Sequence, residues 1–157
     1  RTTQRHALDV KGVIAYLRGD APLPVFLIGT SMGTVSAANA AARLQQGGAD
    51  GVVLTSTVTR GSLNYPSVYD TDLGAIRIPV LLLHHAQDYC AASPPGGAEA
   101  LAGRLRRTTQ VELRLLSGGL PRESDYCEPR SAHGFFGSED QATAAISAWI
   151  NAHLAHG

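Results

Sequence analysis

Serine 31 sits in Gly29-Thr30-Ser31-Met32-Gly33, behind the apolar, β-branched run Val25-Phe26-Leu27-Ile28 and ahead of an Ala-rich helical segment. A strand, a sharp turn carrying one hydroxyl, and a helix are what a serine nucleophile needs. The hydroxyl must project from a tight, strained turn. A side chain at Gly29 or Gly33 is expected to collide with neighbouring backbone in such a turn, and glycine removes the obstacle. The helix after Ser31 aims unpaired N–H groups and a positive dipole end at the place where an oxyanion would form, so the Met32 N–H is a candidate oxyanion donor.

A serine needs a base, and the base needs an orienting acid. In open parallel sheets sites lie beyond the carboxyl ends of the strands. Asp88 follows an apolar run in His84-His85-Ala86-Gln87-Asp88, and His133 lies in a long loop as Ser131-Ala132-His133-Gly134-Phe135-Phe136-Gly137. Asp70, Asp72 and Asp125 are weaker candidates for the acid. His6, His153 and His156 lie near helix ends, where solvated or capping histidines are common. His84 and His85 either line the site or support the Asp88 loop by hydrogen bonds.

The elements that must position these groups follow from periodicity. Val10, Val13, Ile14 and Leu17 recur at helical spacing, predicting an amphipathic helix over 4–18 that ends at Gly19 and a turn from Asp20 to Pro24. The elbow strand is expected at 23–28 and its helix at 32–46, stopped by Gly47-Gly48. Strands follow at 51–57 and 78–84, separated by an irregular connection over 61–75. Pro94-Pro95 opens a helix to about Arg106. The alternation over 111–116 places a strand nearer the sheet edge. The loop from Ser117 to Gly137 is long enough to expect a function for it. The last helix begins at Ser138, where Ser138 and Gln141 have capping-box spacing, and buries Ala142, Ala145, Ile146, Trp149 and Ile150. Continuous apolar strands alternating with helices predict an α/β fold: three layers, α/β/α, with a mostly parallel sheet in one domain, 1–157.

Composition bounds the rest. The 157 residues are 44% apolar and 17% charged, with zero formal net charge. That excludes a disordered chain and gives no reason to expect a nucleic-acid partner. No apolar run reaches membrane-spanning length. No Cys/His cluster has zinc spacing and no phosphate-binding glycine loop is present, so no metal or cofactor is expected.

In Gly29-Thr30-Ser31-Met32-Gly33, His85-Ala86-Gln87-Asp88 and His133-Gly134-Phe135, and in the order Ser, Asp, His, the chain resembles α/β-hydrolase serine hydrolases, in particular lidless bacterial esterases and dienelactone-hydrolase-like proteins. The resemblance covers nearly the whole chain. It implies Ser31 as nucleophile, His133 as general base and acid, Asp88 as orienter of the imidazole, and a small ester as substrate. Dienelactone hydrolases use a cysteine nucleophile, so their substrate does not carry over, and many relatives have glycine where His85 stands. In this fold several strands precede the elbow, one of them leading into the second oxyanion donor; here one helix precedes it. One side of the elbow strand is therefore expected to lack its pairing. The chain begins at Arg1 without methionine, and the expectation is a C-terminal portion of a larger hydrolase domain, completed by an N-terminal segment, a second chain or a second copy.

Cys90 lies two positions after Asp88, and Cys127 six before His133. If Asp88 meets His133, the cysteines come together, either as a disulfide or as two buried thiols. A disulfide implies a periplasmic or secreted protein; thiols imply a cytoplasmic one.

Overall fold

The computed structural model describes residues 1–20 and 23–154. Four strands form one parallel sheet in the order β1-β2-β3-β4: β1 Phe26–Thr30, β2 Gly51–Thr55, β3 Val80–His85 and β4 Val111–Leu116. The helices are α1 Gln4–Asp20, α2 Met32–Arg43, α3 Gly97–Ala102 and α4 Glu139–Leu154. Short 3-10 turns at Val68–Asp70 and Leu73–Ala75 punctuate the irregular connection, and one at Ala132–Gly134 carries His133.

The pleat divides the apolar residues of β2 and β3 between two faces. Val52, Leu54, Val80 and Leu82 pack under α2 and α3, against Val35, Ala38, Leu101 and Leu105. Val53, Leu81 and Leu83 face the other way, onto Phe135, Ala142 and Trp149. Both faces of the central strands are covered, which is why they read as unbroken apolar runs. The alanines of α2 bring it close to the sheet. Gly51 makes room for the Phe26 and Trp149 rings, which meet edge to face at 5.9 Å.

Several expectations are corrected. In α1 the buried residues are Ala7 and Ile14, while Val13 and Leu17 stay exposed. The helix rests on α2 along a narrow line through Ala40 and Leu44, too narrow to cover the whole apolar stripe. The helix expected from Pro94 to Arg106 is regular only over Gly97–Ala102. Ser138 does not cap α4; its hydroxyl donates to the Phe135 carbonyl. β4 has its expected bounds, β2 ends two residues early, β3 begins two residues later and ends one later, and β1 begins three residues later and ends two later than expected. Of the turn expected over 20–24, residues 21 and 22 lie outside the described residues.

β1 and β4 are the sheet edges. Along β1, Ile28 is 53% exposed, whereas the central strands β2 and β3 are buried throughout.

Candidate active site

Ser31 links β1 to α2 with φ 50° and ψ −123°, a left-handed backbone that a non-glycine residue adopts only when its surroundings force it. The forces are visible. The Ser31 N–H donates to the Thr55 carbonyl at the end of β2, and the Thr34 N–H and hydroxyl both donate to the Ser31 carbonyl. Thr34 Oγ1 in turn accepts the Val58 N–H, pinning the turn to the segment after β2. The Ser31 side chain makes no capping hydrogen bond to α2, so its hydroxyl is not committed to the helix. Met32 is the first residue of α2, where the backbone N–H has no intrahelical acceptor.

The two glycines of the motif differ. A Cβ on Gly29 would lie 2.5 Å from the Gly33 carbonyl oxygen, whereas a Cβ on Gly33 would meet nothing within 4 Å. The expected collision at Gly33 is therefore corrected: of the two only Gly29 is required to be glycine, because the Gly33 backbone carbonyl stands where its Cβ would go. Gly29→Ala is expected to cost at least about 2 kcal/mol, because backbone cannot move aside as a side chain can. Gly33→Ala is expected to stay within about 1 kcal/mol, the helix propensity of alanine offsetting any loss. Urea unfolding of the two variants checks the contrast, and equal costs would contradict it.

Asp88 and His133 meet directly. His133 Nδ1 is 2.9 Å from Asp88 Oδ2, and both side chains are buried. Asp88 Oδ1 accepts the Cys90 N–H at 2.9 Å, and Oδ2 accepts the Ser93 hydroxyl at 2.8 Å. The carboxylate is thus fully out of water but satisfied at both oxygens, the condition under which a buried charge persists. His133 sits in a 3-10 turn whose start is capped by Ser131 and whose end is Phe135 at φ 60°. A Cβ on Gly134 would fall 2.1 Å from the Pro129 carbonyl oxygen, so only glycine lets the turn close on the preceding loop.

His133 Nε2 is buried without a hydrogen-bond partner among the described residues. β2 connects the elbow to this pair: Thr55 takes the Ser31 N–H, and the next residue, Ser56, donates its hydroxyl to the His133 carbonyl at 2.6 Å. Ser56 itself has φ 45°. Two consecutive residues at the carboxyl end of one strand therefore hold Ser31 and the Asp88–His133 pair on the same rim of the sheet.

Cys90 and Cys127 form a disulfide, 37 positions apart. It joins the Asp88 loop to the loop that carries His133. The ligand atoms of Asp88, Cys90 and His133 lie within 4.8 Å of one another, but with Cys90 Sγ bonded to Cys127 no thiolate is available there.

The other candidates have different employment. Asp70 caps its 3-10 turn through Ser67, and Asp72 and Asp125 are exposed. His6 Nε2 pairs with the Ser36 hydroxyl across α1 and α2. His153 Nδ1 bonds the Trp149 carbonyl at the end of α4. His156 lies outside the described residues. His85 is a brace: Nε2 donates to the Gly118 carbonyl and Nδ1 accepts the Gln87 N–H, so it supports the Asp88 loop. His85 also lines a cavity of about 240 Å³ with Tyr89, Tyr126, Ser131 and Phe136. Ser31 is not among the lining residues, so this cavity adjoins the His133 segment and not the elbow.

His84 is buried with its Nε2 accepting the Thr57 N–H at 3.2 Å, and its Nδ1 has no partner among the described residues. Burial pushes its pKa down from the usual 6.5 to about 4, against the opposing pull of Asp88 and Glu99. Above pH 6.5 the ring is neutral whether the chain is folded or not, and its titration makes no contribution to stability. Between 6.5 and 4 the unfolded chain takes up a proton that the folded chain refuses, so stability is lost as pH falls and levels off below 4. The loss expected from this one group is about 3 kcal/mol. The difference in denaturant-derived stability between pH 7 and pH 4 should shrink in His84→Gln, and an unchanged difference would contradict the assignment.

Comparison with solved structures agrees with this architecture. The Paleococcus ferrophilus monoacylglycerol lipase superposes with a TM-score of 0.63 over 94% of this chain and 76% of its own, at 16% identity. The acetyl ester-xyloside bifunctional hydrolase of Caldicellulosiruptor lactoaceticus gives 0.54 over 72% of this chain and 55% of its own, at 17% identity. A puromycin hydrolase gives 0.53 over 72% of this chain and 21% of its own, at 14% identity. The chain thus spans about three quarters of the lipase, about half of the bifunctional hydrolase and about a fifth of the puromycin hydrolase. No family model and no curated protein matches the sequence. At these identities the likeness is one of fold: a four-stranded parallel sheet flanked by helices, arranged as in α/β-hydrolases.

Proposed function

We propose that the chain is a serine hydrolase that cleaves carboxylic esters through Ser31, His133 and Asp88. The observation that carries this reading is the buried Asp88–His133 pair, with His133 Nε2 free of any hydrogen bond among the described residues, Ser31 included, tied through Ser56 to the same strand end whose Thr55 holds the forced left-handed backbone of Ser31. In the reaction, His133 Nε2 takes the proton of the Ser31 hydroxyl as Oγ attacks the ester carbonyl. The imidazolium that forms is stabilised by Asp88. The Met32 N–H, at the positive end of α2, donates to the oxyanion. His133 then returns the proton to the leaving alkoxide, and water, deprotonated by the same nitrogen, releases the acid. The similar lipase and the bifunctional acetyl ester hydrolase support an ester as substrate, and the absence of any large insertion among the described elements favours a small one. An amine or alcohol acceptor in place of water would make the same acyl-enzyme an acyltransferase, and an amide substrate would make the protein an amidase.

The open edge of β1, with Ile28 exposed, supports a further element paired there: an N-terminal segment, a second chain or a second copy. A second oxyanion N–H would come from it. The disulfide favours an oxidising compartment, periplasmic or extracellular. No described helix is long and apolar enough to cross a membrane.

A fluorophosphonate probe tests the reading. Covalent labelling of the folded protein, lost in Ser31→Ala, is the expected outcome. A folded protein that takes no label, or a Ser31→Ala variant that labels as well as its parent, would favour a non-catalytic α/β-hydrolase-like module.

A further inference from the structure

Ser93 is a buried hydroxyl for which the proposed chemistry has no use. Its Oγ lies 2.8 Å from Asp88 Oδ2 and 2.9 Å from His133 Nδ1, and that nitrogen lies 2.9 Å from the same carboxylate oxygen. The three atoms close a triangle out of contact with water. A hydroxyl has one proton and two acceptor sites, and an ionised carboxylate only accepts. The Ser93 proton therefore goes to Asp88, and an Oγ lone pair faces His133 Nδ1. That nitrogen must carry the ring proton, shared between Oδ2 and Oγ. The neutral ring then has a bare Nε2, the atom left without a partner.

The same short segment supplies every support. The Cys90 N–H holds Asp88 Oδ1, the Ser93 hydroxyl holds Oδ2, and the Ser93 N–H closes the turn on the Cys90 carbonyl. A carboxylate alone would leave the imidazole free to swing about one hydrogen bond. Two acceptors define the plane of the ring as well as its tautomer.

We propose that Ser93 is a positioning residue, whose hydroxyl fixes the tautomer and plane of His133 and the rotation of the Asp88 carboxylate. The proposal rests on the reading of His133 as the base. From the worth of a hydrogen bond to a charged group, Ser93→Ala should lower kcat on p-nitrophenyl acetate about 10- to 100-fold, with KM within about twofold and a melting temperature lower by roughly 5 °C, the protein remaining folded under assay conditions. Ser93→Thr, which keeps the hydroxyl, should recover most of the rate. Nitrogen-15 NMR of His133 in the resting protein gives a readout that needs no turnover. The parent should show the Nδ1–H tautomer alone, and Ser93→Ala a mixture. Unchanged kcat in Ser93→Ala, a rise in KM without a fall in kcat, or a single Nδ1–H tautomer in both proteins would overturn the proposal. If the parent hydrolyses no ester, the esterase reading fails, while the tautomer comparison still decides the role of Ser93. The same comparison decides it if the extra methyl of Ser93→Thr unfolds the chain.

Discussion

Asp88→Asn is expected to lower kcat for ester hydrolysis by about 10⁴-fold, the scale seen when the acid of such a triad becomes an amide, while the protein still folds. The geometry dictates which way the amide turns. The Cys90 N–H points at the position of Oδ1, so the amide oxygen must sit there to accept it. The NH₂ group is forced to the position of Oδ2, where it faces Ser93 Oγ and His133 Nδ1. It donates to Nδ1, the ring proton moves to Nε2, and the nitrogen that should take the Ser31 proton already holds one. The hydroxyl of Ser93 can accept from the new amide, but its own proton loses the acceptor that Oδ2 supplied, so the variant is expected to fold with a stability loss of about 1–3 kcal/mol. Steady-state kinetics and a melting curve check the two halves of the statement. A loss of less than tenfold with an intact fold would mean that Asp88 does not orient the base. The combination of Asp88→Asn with Ser31→Ala should be no slower than Ser31→Ala alone, because groups that act as one unit do not contribute additively.

What could be seen of this site in the sequence was its local part. Strand–glycine–serine–helix is a contiguous pattern, and the backbone at Ser31 adopts the forced conformation that pattern implies. The pairing of Asp88 with His133, and with it the nearness of Cys90 and Cys127, followed from the rule that loops at the carboxyl ends of parallel strands converge, whereas proximity alone left disulfide and free thiols as alternatives, and the structure has the bond. Ser93 and Ser56 were not legible. Each is a small polar residue in a loop whose importance depends on a contact with His133, 40 positions away for Ser93 and 77 for Ser56. The roles of Gly29 and Gly33 looked alike in the motif and separated only once the backbone path showed whose carbonyl stood in the way. For α1, periodicity located the helix but not how much of its apolar stripe would be covered, since that depends on the width of the neighbouring surface. The 3-10 turn at His133 was hidden because its glycine answers to Pro129, a contact invisible to helical or strand periods.

The disulfide carries the second large effect. Cys90 and Cys127 close a loop of 37 positions, and restricting a loop of that length in the unfolded chain is worth about 4 kcal/mol in the entropy model. For a chain of this size the reduced protein should melt roughly 10 °C lower. Activity should fall before global unfolding. Cys90 belongs to the turn whose N–H groups and hydroxyl hold Asp88, and Cys127 belongs to the loop that leads to Ser131, the cap of the His133 turn. Cutting the bond lets these two loops move independently, so the Asp88–His133 distance is no longer fixed at both ends. Cys127 is an exposed residue while Cys90 is buried, so reduction under native conditions is expected to begin at Cys127. The expected series is therefore ordered: no free thiol in the denatured, unreduced protein, then two after reduction, with loss of ester hydrolysis at temperatures where circular dichroism still reports a folded sheet. The Cys90→Ala/Cys127→Ala double variant should reproduce the reduced protein in both stability and rate. Two thiols in the unreduced protein would refute the bond. A reduced protein that keeps full activity up to its own melting point would show that the bond acts on the unfolded chain alone, and that the Asp88 and His133 loops hold their alignment without it.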